Sequence, residues 1–499
     1  MCGISPATAE ATPAPRAGTQ RPALFHNCRQ RWRSRAGWAV LCFLLFPLPA
    51  AAQLPAELAR ALEETGLPPT SLALFVQELG SPTPLIAHQA DRPMNPASVI
   101  KLVTTFAALE ALTPAYRWRT EVYADGEEDG GRLKGRLYFK GYGDPRITLE
   151  TLWLWLRELR ARGLRKIDGD VVLDRSHFDL PPEDPAAFDG KPLRPYNVGP
   201  DALLLNFRTQ RLHILPQSGR LHVRLEAAAG LALDNRLRPV AGPCGDWKNN
   251  IAATVEKTRR GVLLRLGGEY PLSCGEQSAH FALFDADTQA ELLLNSLWQE
   301  LGGRLRGRVK AGTVADGARL MARFESAPLA EVVRDINKFS NNVMARQVYL
   351  TLGAELFGPP ATPEKAALAV KTVLASRGLD FVELQPGNGA GLDRGTRITA
   401  RHLAALLGAA RASLWYPEFA ASLPLVGLDG TVRHRLAGQP VAGQARLKSG
   451  SLDDVRALAG YSRDAKGREM IVVCLINDPQ AARARPFQDS LLAWLFARP

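Results

Sequence analysis

Hydrophobic positions along this chain switch repeatedly between a strand period and a helix period. SLALFVQEL (71–79) is an apolar, β-rich run after a short helical stretch, and PLIAHQADRPMNPAS is a second strand ending in Pro and Asn turn residues. From Ser98 to Leu112 the apolar residues fall at 99, 102, 103, 106, 109 and 112, the spacing of a helix, with Pro96 before it and Pro114 after it. Beyond about 119 the texture turns to short alternating runs such as RTEVYAD, GRLKGRLYFKG, RLHILPQ and GVLLRLGG, cut by Gly, Asp and Pro and interrupted by one helix at 149–163. Helical spacing returns near Thr288 and over 328–353, 363–378 and 399–411. QARLKSGS, VRALAGYSR and EMIVVCLIND then predict an antiparallel meander with short turns, closed by the helix PFQDSLLAWLFA. Strands at both ends with helices between them predict an α+β domain whose first and last strands share one sheet, split by a β-rich insertion.

The N-terminus alters the charge picture. Residues 29–35 (RQRWRSR) hold four arginines, an apolar run follows from Trp38 to Leu48, and Ala50-Ala51-Ala52 comes next. That order predicts a secretory signal peptide cleaved at about Ala52, in a run too short to span a membrane, and hence export to the periplasm. The formal net charge is +12; without residues 1–52 the chain keeps 56 basic and 49 acidic residues, a net of +7. That excess is scattered rather than striped, which argues against a nucleic-acid partner and leaves peripheral association with the membrane or cell wall. Cys244 and Cys274, in loop-like AGPCGDW and PLSCGEQ, are the expected disulfide of an exported chain, and Cys474 reads as an apolar strand residue. No His-Glu-x-x-His, Gly-x-Gly-x-x-Gly or Walker lysine loop occurs, so neither a metal nor a nucleotide cofactor is expected.

Three short motifs carry candidate chemistry. In Ser98-Val-Ile-Lys101 a hydroxyl and an amine three residues apart share a helix face, beside backbone N–H groups suited to an oxyanion. Ser340-Asn341-Asn342 lies where an amphipathic helix should break, and its Ser and Asn also suit a helix cap. Lys448-Ser449-Gly450 opens the final meander, where a cation and a hydroxyl can hold a carboxylate and a glycine admits a close peptide. Each motif alone has an ordinary structural reading; their joint order does not.

Ser-x-x-Lys, Ser-x-Asn and Lys-[Thr/Ser]-Gly in this order are the set of penicillin-binding proteins and serine β-lactamases. With Ser340 lying 242 positions after Ser98, and with GYGDP (141–145), YNVGPDALLLN (196–206) and LVGLDGTVRHRL (425–436), the chain resembles the D-alanyl-D-alanine carboxypeptidase/endopeptidase family, the class C low-molecular-mass penicillin-binding proteins. One stretch departs from that family: NGAGLDR (388–394) puts Ala390 and Asp393 where hydroxyls often stand. The resemblance implies a signal peptide and N-terminal extension at 1–52. It implies a discontinuous transpeptidase-like domain at 54–118 and 312–499, an antiparallel sheet flanked by helices, around a β-rich insertion of two small domains at 119–311. It also implies roles: Ser98 as acylated nucleophile, Lys101 as general base, Ser340 as proton relay, Asn342 holding the substrate amide, and Lys448, Ser449 and Gly450 receiving the terminal D-alanine, with N–H groups of Ser98 and Ser451 as oxyanion hole. The implied substrates are peptidoglycan stem peptides and the implied inhibitors β-lactams. A serine β-lactamase, or a catalytically idle peptidoglycan-binding protein, are the competing functions.

Overall fold

The computed structural model describes residues 54–498 except 259 and 260. The signal-peptide expectation falls on residues 1–52, outside the described residues. The central sheet is antiparallel, in the order Ala445–Leu452, Val455–Arg463, Glu469–Asn477, Leu72–Glu78, Ile86–His88. The last long strand of the chain, Glu469–Asn477, thus pairs with its first, Leu72–Glu78. Glu469–Asn477 is buried on both faces, which is why it reads as an unbroken apolar run. Ile471, Val473 and Leu475 join the large core under the helices. Met470, Val472, Cys474 and Ile476 face the other side, against the helices Ala56–Glu63 and Arg485–Phe496. Cys474 is a free, buried thiol in that strand.

Under the sheet lies the helix Lys101–Leu112, whose buried set includes Lys101, Leu102, Val103, Phe106 and Leu109. It packs on the helices Asn342–Phe357 and Pro363–Ser376. The stretch 328–353 is two helices, Leu329–Phe339 and Asn342–Phe357, broken at Ser340 and Asn341.

Among the described residues, two large hydrophobic clusters build the insertion. One joins a five-stranded sheet, which includes Arg119–Ala124 and Leu137–Gly141, to the helices Leu149–Ala161 and Ala286–Glu300. The other gathers strands between Gln210 and Phe281 around Trp247 and Tyr270, and there Cys244 and Cys274 form a disulfide with Cα atoms 4.7 Å apart. The chain returns to the domain of the central sheet later than the expected residue 312. The strand Arg319–Glu325 still pairs along Arg119–Ala124, so the insertion's sheet is complete only at Glu325, and Trp118 N–H donates to Ser326 Oγ at the junction.

Candidate active site

Ser98 does not cap an α-helix. It lies in a 3-10 turn, Ala97–Ile100, that leads into the helix beginning at Lys101. Ala97 is left-handed (φ 45°), and its N–H is held by Asn95 Oδ1 at 2.8 Å. Such a backbone is strained for a residue with a Cβ and persists only where the surroundings dictate it. The surroundings here are two close approaches. A Cβ on Gly450 would stand 2.6 Å from Pro96 O and 3.1 Å from Ser98 N, and one on Gly391 would stand 2.0 Å from Ala97 O. The room that Gly450 provides is therefore taken by the chain's own Pro96–Ser98 turn, not by an approaching peptide as the motif alone suggested.

The three motifs converge. Lys101 is fully buried, and its Nζ lies 2.9 Å from Ser98 Oγ, 2.7 Å from Asn342 Oδ1 and in hydrogen-bond contact with Ala390 O. Lys448 is also fully buried; its Nζ donates to Ser340 Oγ at 2.9 Å and to Ser449 O at 2.7 Å. Burial, reinforced by the charge of Lys448, holds the Lys101 amine well below the ordinary lysine range. Burial alone pushes Lys448 down to about 7. Ser340 is left-handed (φ 56°) and ends one helix, while Asn341 caps the next by accepting from Met344 N at 3.1 Å. The cap reading and the site reading of Ser-Asn-Asn are thus divided among its residues: Asn341 caps, and Ser340 and Asn342 face the two lysines. Ser449 Oγ lies 2.7 Å from Thr431 Oγ1, which brings the GLDGTVRHRL segment to the edge of the site.

Two contacts escape sequence reasoning because backbone carbonyls make them. Ala390 O touches Lys101, so the missing hydroxyl at 390 removes nothing from that contact. The loop is held by its own side chains: Asn388 Oδ1 accepts from Ala390 N at 3.1 Å, and Asp393 Oδ1 accepts from Thr396 N at 2.9 Å. The second is Tyr196 O, which accepts from Asn342 Nδ2 at 3.2 Å. Tyr196 belongs to an insertion segment laced along the helix Asn342–Phe357. Arg346 pairs with Glu183, and Gln347 Oε1 accepts from Asp201 N at 3.0 Å while its Nε2 donates to Asp201 O at 2.8 Å. A cleft of about 810 Å³ opens beside Ser340 and Asn342, lined on the insertion side by Arg194, Tyr196, Arg211 and Lys248.

The family model described as D-Ala-D-Ala carboxypeptidase 3 (S13) matches residues 54–497. A D-alanyl-D-alanine carboxypeptidase of Actinomadura sp. (strain R39) is 28% identical over 451 residues, covering 87% of this chain and 82% of the relative. The crystal structure of penicillin binding protein 4 from Haemophilus influenzae matches with a TM-score of 0.74 at 21% identity, over 88% of this chain and 99% of that one. Its complex with a β-lactam matches with a TM-score of 0.69 at 21% identity, over 89% and 100%. These two structures establish the penicillin-binding-protein fold here, α+β as the hydrophobic pattern predicts.

Proposed function

This chain belongs to the D-Ala-D-Ala carboxypeptidase 3 (S13) family, a family of serine hydrolases, and we propose that it cleaves D-alanyl-D-alanine bonds of peptidoglycan stem peptides through an acyl-enzyme on Ser98. The observation that carries the assignment is the partner set of Lys101. A neutral amine has two N–H donors and one lone pair. Asn342 Oδ1 and Ala390 O are two acceptors, and the remaining neighbour is the Ser98 hydroxyl, which can donate to the lone pair. Lys101 therefore takes the Ser98 proton as Oγ attacks the carbonyl carbon of the penultimate D-alanine. N–H groups of Ser98 and Ser451 hold the oxyanion. When the intermediate collapses, the C–N bond breaks and the proton passes to the departing amine, with Ser340 as relay. Water then hydrolyses the Ser98 ester, Lys101 again accepting a proton. Lys448 and Ser449 receive the D-alanine carboxylate, and Asn342 turns its remaining N–H to the substrate amide.

β-Lactams share the carboxylate and the reactive carbonyl, so penicillin should acylate the same atom. Intact-mass measurement should show one penicillin adduct on the wild type and none on Ser98→Ala; an adduct surviving in the variant would refute the assignment. Digested muropeptides separate the two activities: loss of one alanine marks carboxypeptidase action, and conversion of dimers to monomers marks endopeptidase action. The reading includes export. The four arginines at 29–35, the apolar run and Ala50-Ala51-Ala52 support cleavage at about Ala52 and work in the periplasm, and N-terminal sequencing of envelope material checks it.

A further inference from the structure

The helix-facing side of the central sheet carries a second concentration of charge, beyond the catalytic lysines. Arg446 and Tyr461 are directly opposed on neighbouring strands, as are Arg463 and Glu469. With Arg411 of the helix Ala400–Ala412 and Tyr416 of the helix Tyr416–Ser422 they line a recess of about 320 Å³. Two of the three guanidiniums there share one carboxylate. Arg463 donates to Glu469 Oε1 at 3.0 and 2.7 Å, and Arg411 Nε lies 3.6 Å from Glu469 Oε2. Arg446 is half-buried, and its guanidinium has no hydrogen bond or ion pair among the described residues. Arg411 also stacks over the Tyr416 ring, 4.5 Å from its centre. Burial, with Glu469 adding to it, holds the Tyr416 phenol above its ordinary range, so it remains a donor at neutral pH.

A partly desolvated guanidinium without a partner is unfavourable until an anion meets it, and its planar fork fits phosphate oxygens in pairs. What decides between a soluble phosphate and a membrane is Leu414. It lies between Arg411 and Tyr416 in the chain, in the turn joining the two lining helices, and is 85% exposed. An apolar side chain presented beside a cluster of arginines is how proteins sit at a bilayer interface. We propose that this recess binds the phosphate of an anionic phospholipid headgroup, with Leu414 entering the acyl boundary, and so docks the enzyme on a membrane surface. None of Ser98, Lys101, Ser340, Asn342 and Lys448 lines the recess, so docking leaves the catalytic groups unoccupied.

Co-sedimentation of the purified protein with vesicles tests this. Wild type should bind phosphatidylglycerol-containing vesicles and not pure phosphatidylcholine. Arg446→Ala should weaken that binding about fivefold, the worth of one arginine at an anionic surface, and Leu414→Asp should abolish it. Arg220→Ala, which removes the same charge from an exposed strand of the insertion, should leave binding within about twofold. Unchanged penicillin acylation in each variant shows that it is folded and keeps the outcome separate from the proposed activity; Arg446→Gln replaces Arg446→Ala if the latter fails that check. Equal effects of Arg446→Ala and Arg220→Ala would mean general charge attraction and overturn the site. Calorimetric binding of glycerol 3-phosphate without vesicle binding would identify a soluble phosphate ligand and overturn the membrane role, as would failure to bind either.

Discussion

A lysine serves as a base only where its ammonium is disfavoured, and burial together with the charge of Lys448 disfavours that of Lys101. Both are fully buried, and the charge on Lys448 adds to burial in lowering the Lys101 amine. Removing Lys448 therefore removes a repulsion, so the Lys101 pKa must rise. In Lys448→Ala the acid limb of acylation against pH should move to higher pH, because Lys101 stays protonated longer. The variant also loses a charge-assisted hydrogen bond to the substrate carboxylate, worth about 1.5–3 kcal/mol. Acylation efficiency, k2/K, should fall roughly 10- to 150-fold on a D-alanine acid and much less on its amide. Equal losses on acid and amide would mean that Lys448 does not bind the carboxylate. Stability has its own sign. Lys448 is at about 7 in the fold against about 10.4 in an unfolded chain, so between those values the unfolded state binds more protons. Stability should accordingly rise with pH across that window, and Lys448→Met should flatten the rise in urea midpoints.

At the scale of elements, the insertion steadies the catalytic helix. Asn342 presents its oxygen to Lys101 because its nitrogen is engaged by Tyr196 O. Tyr196 is in turn fixed by Asp189, whose Oδ2 accepts from the Tyr196 hydroxyl at 2.7 Å and whose Oδ1 accepts from Asn197 Nδ2 at 2.8 Å. Asp189→Ala should free this segment and lower acylation by penicillin roughly 3- to 30-fold, since small misplacements of catalytic groups are costly. Penicillin lacks a stem peptide, so a loss on penicillin itself points to positioning rather than to lost stem contacts, and an unchanged penicillin rate would refute the latch. None of this latch was legible in the sequence. The meander, the helix bearing Lys101 and the break at Ser340 were, because their periodicity and punctuation are local. The contacts of Ala390 and Tyr196 were not, since any residue supplies a carbonyl. Nor was the 3-10 turn at Ser98, which is imposed by Gly391 and Gly450 from distant parts of the chain. The strand Arg319–Glu325 alternates like any edge strand, and only its pairing with Arg119–Ala124 assigns it to the insertion.

At the scale of the molecule, the catalytic core and the disulfide-bearing part of the insertion differ in how they are held. The catalytic domain buries a sheet from both faces. The cluster around Trp247 and Tyr270 is smaller, and its strand Ile251–Thr258 is mostly exposed. Such a core gains most from a cross-link: Cys244 and Cys274 are 30 residues apart, and closing that loop is worth about 3–4 kcal/mol by chain entropy. The link from this cluster to the catalytic helix passes through Arg194, which donates to Asp246 at 2.7 Å and Asn249 at 2.6 Å, two residues before Tyr196. A Cys244→Ser/Cys274→Ser variant should therefore unfold in two calorimetric steps, the insertion's transition falling by several degrees while the catalytic domain's stays in place. Penicillin acylation at 25 °C should remain within about threefold of wild type, since the lost energy belongs to a neighbouring core. A single transition displaced as a whole would mean that the two cores fold as one cooperative unit, and that the disulfide supports the active site directly.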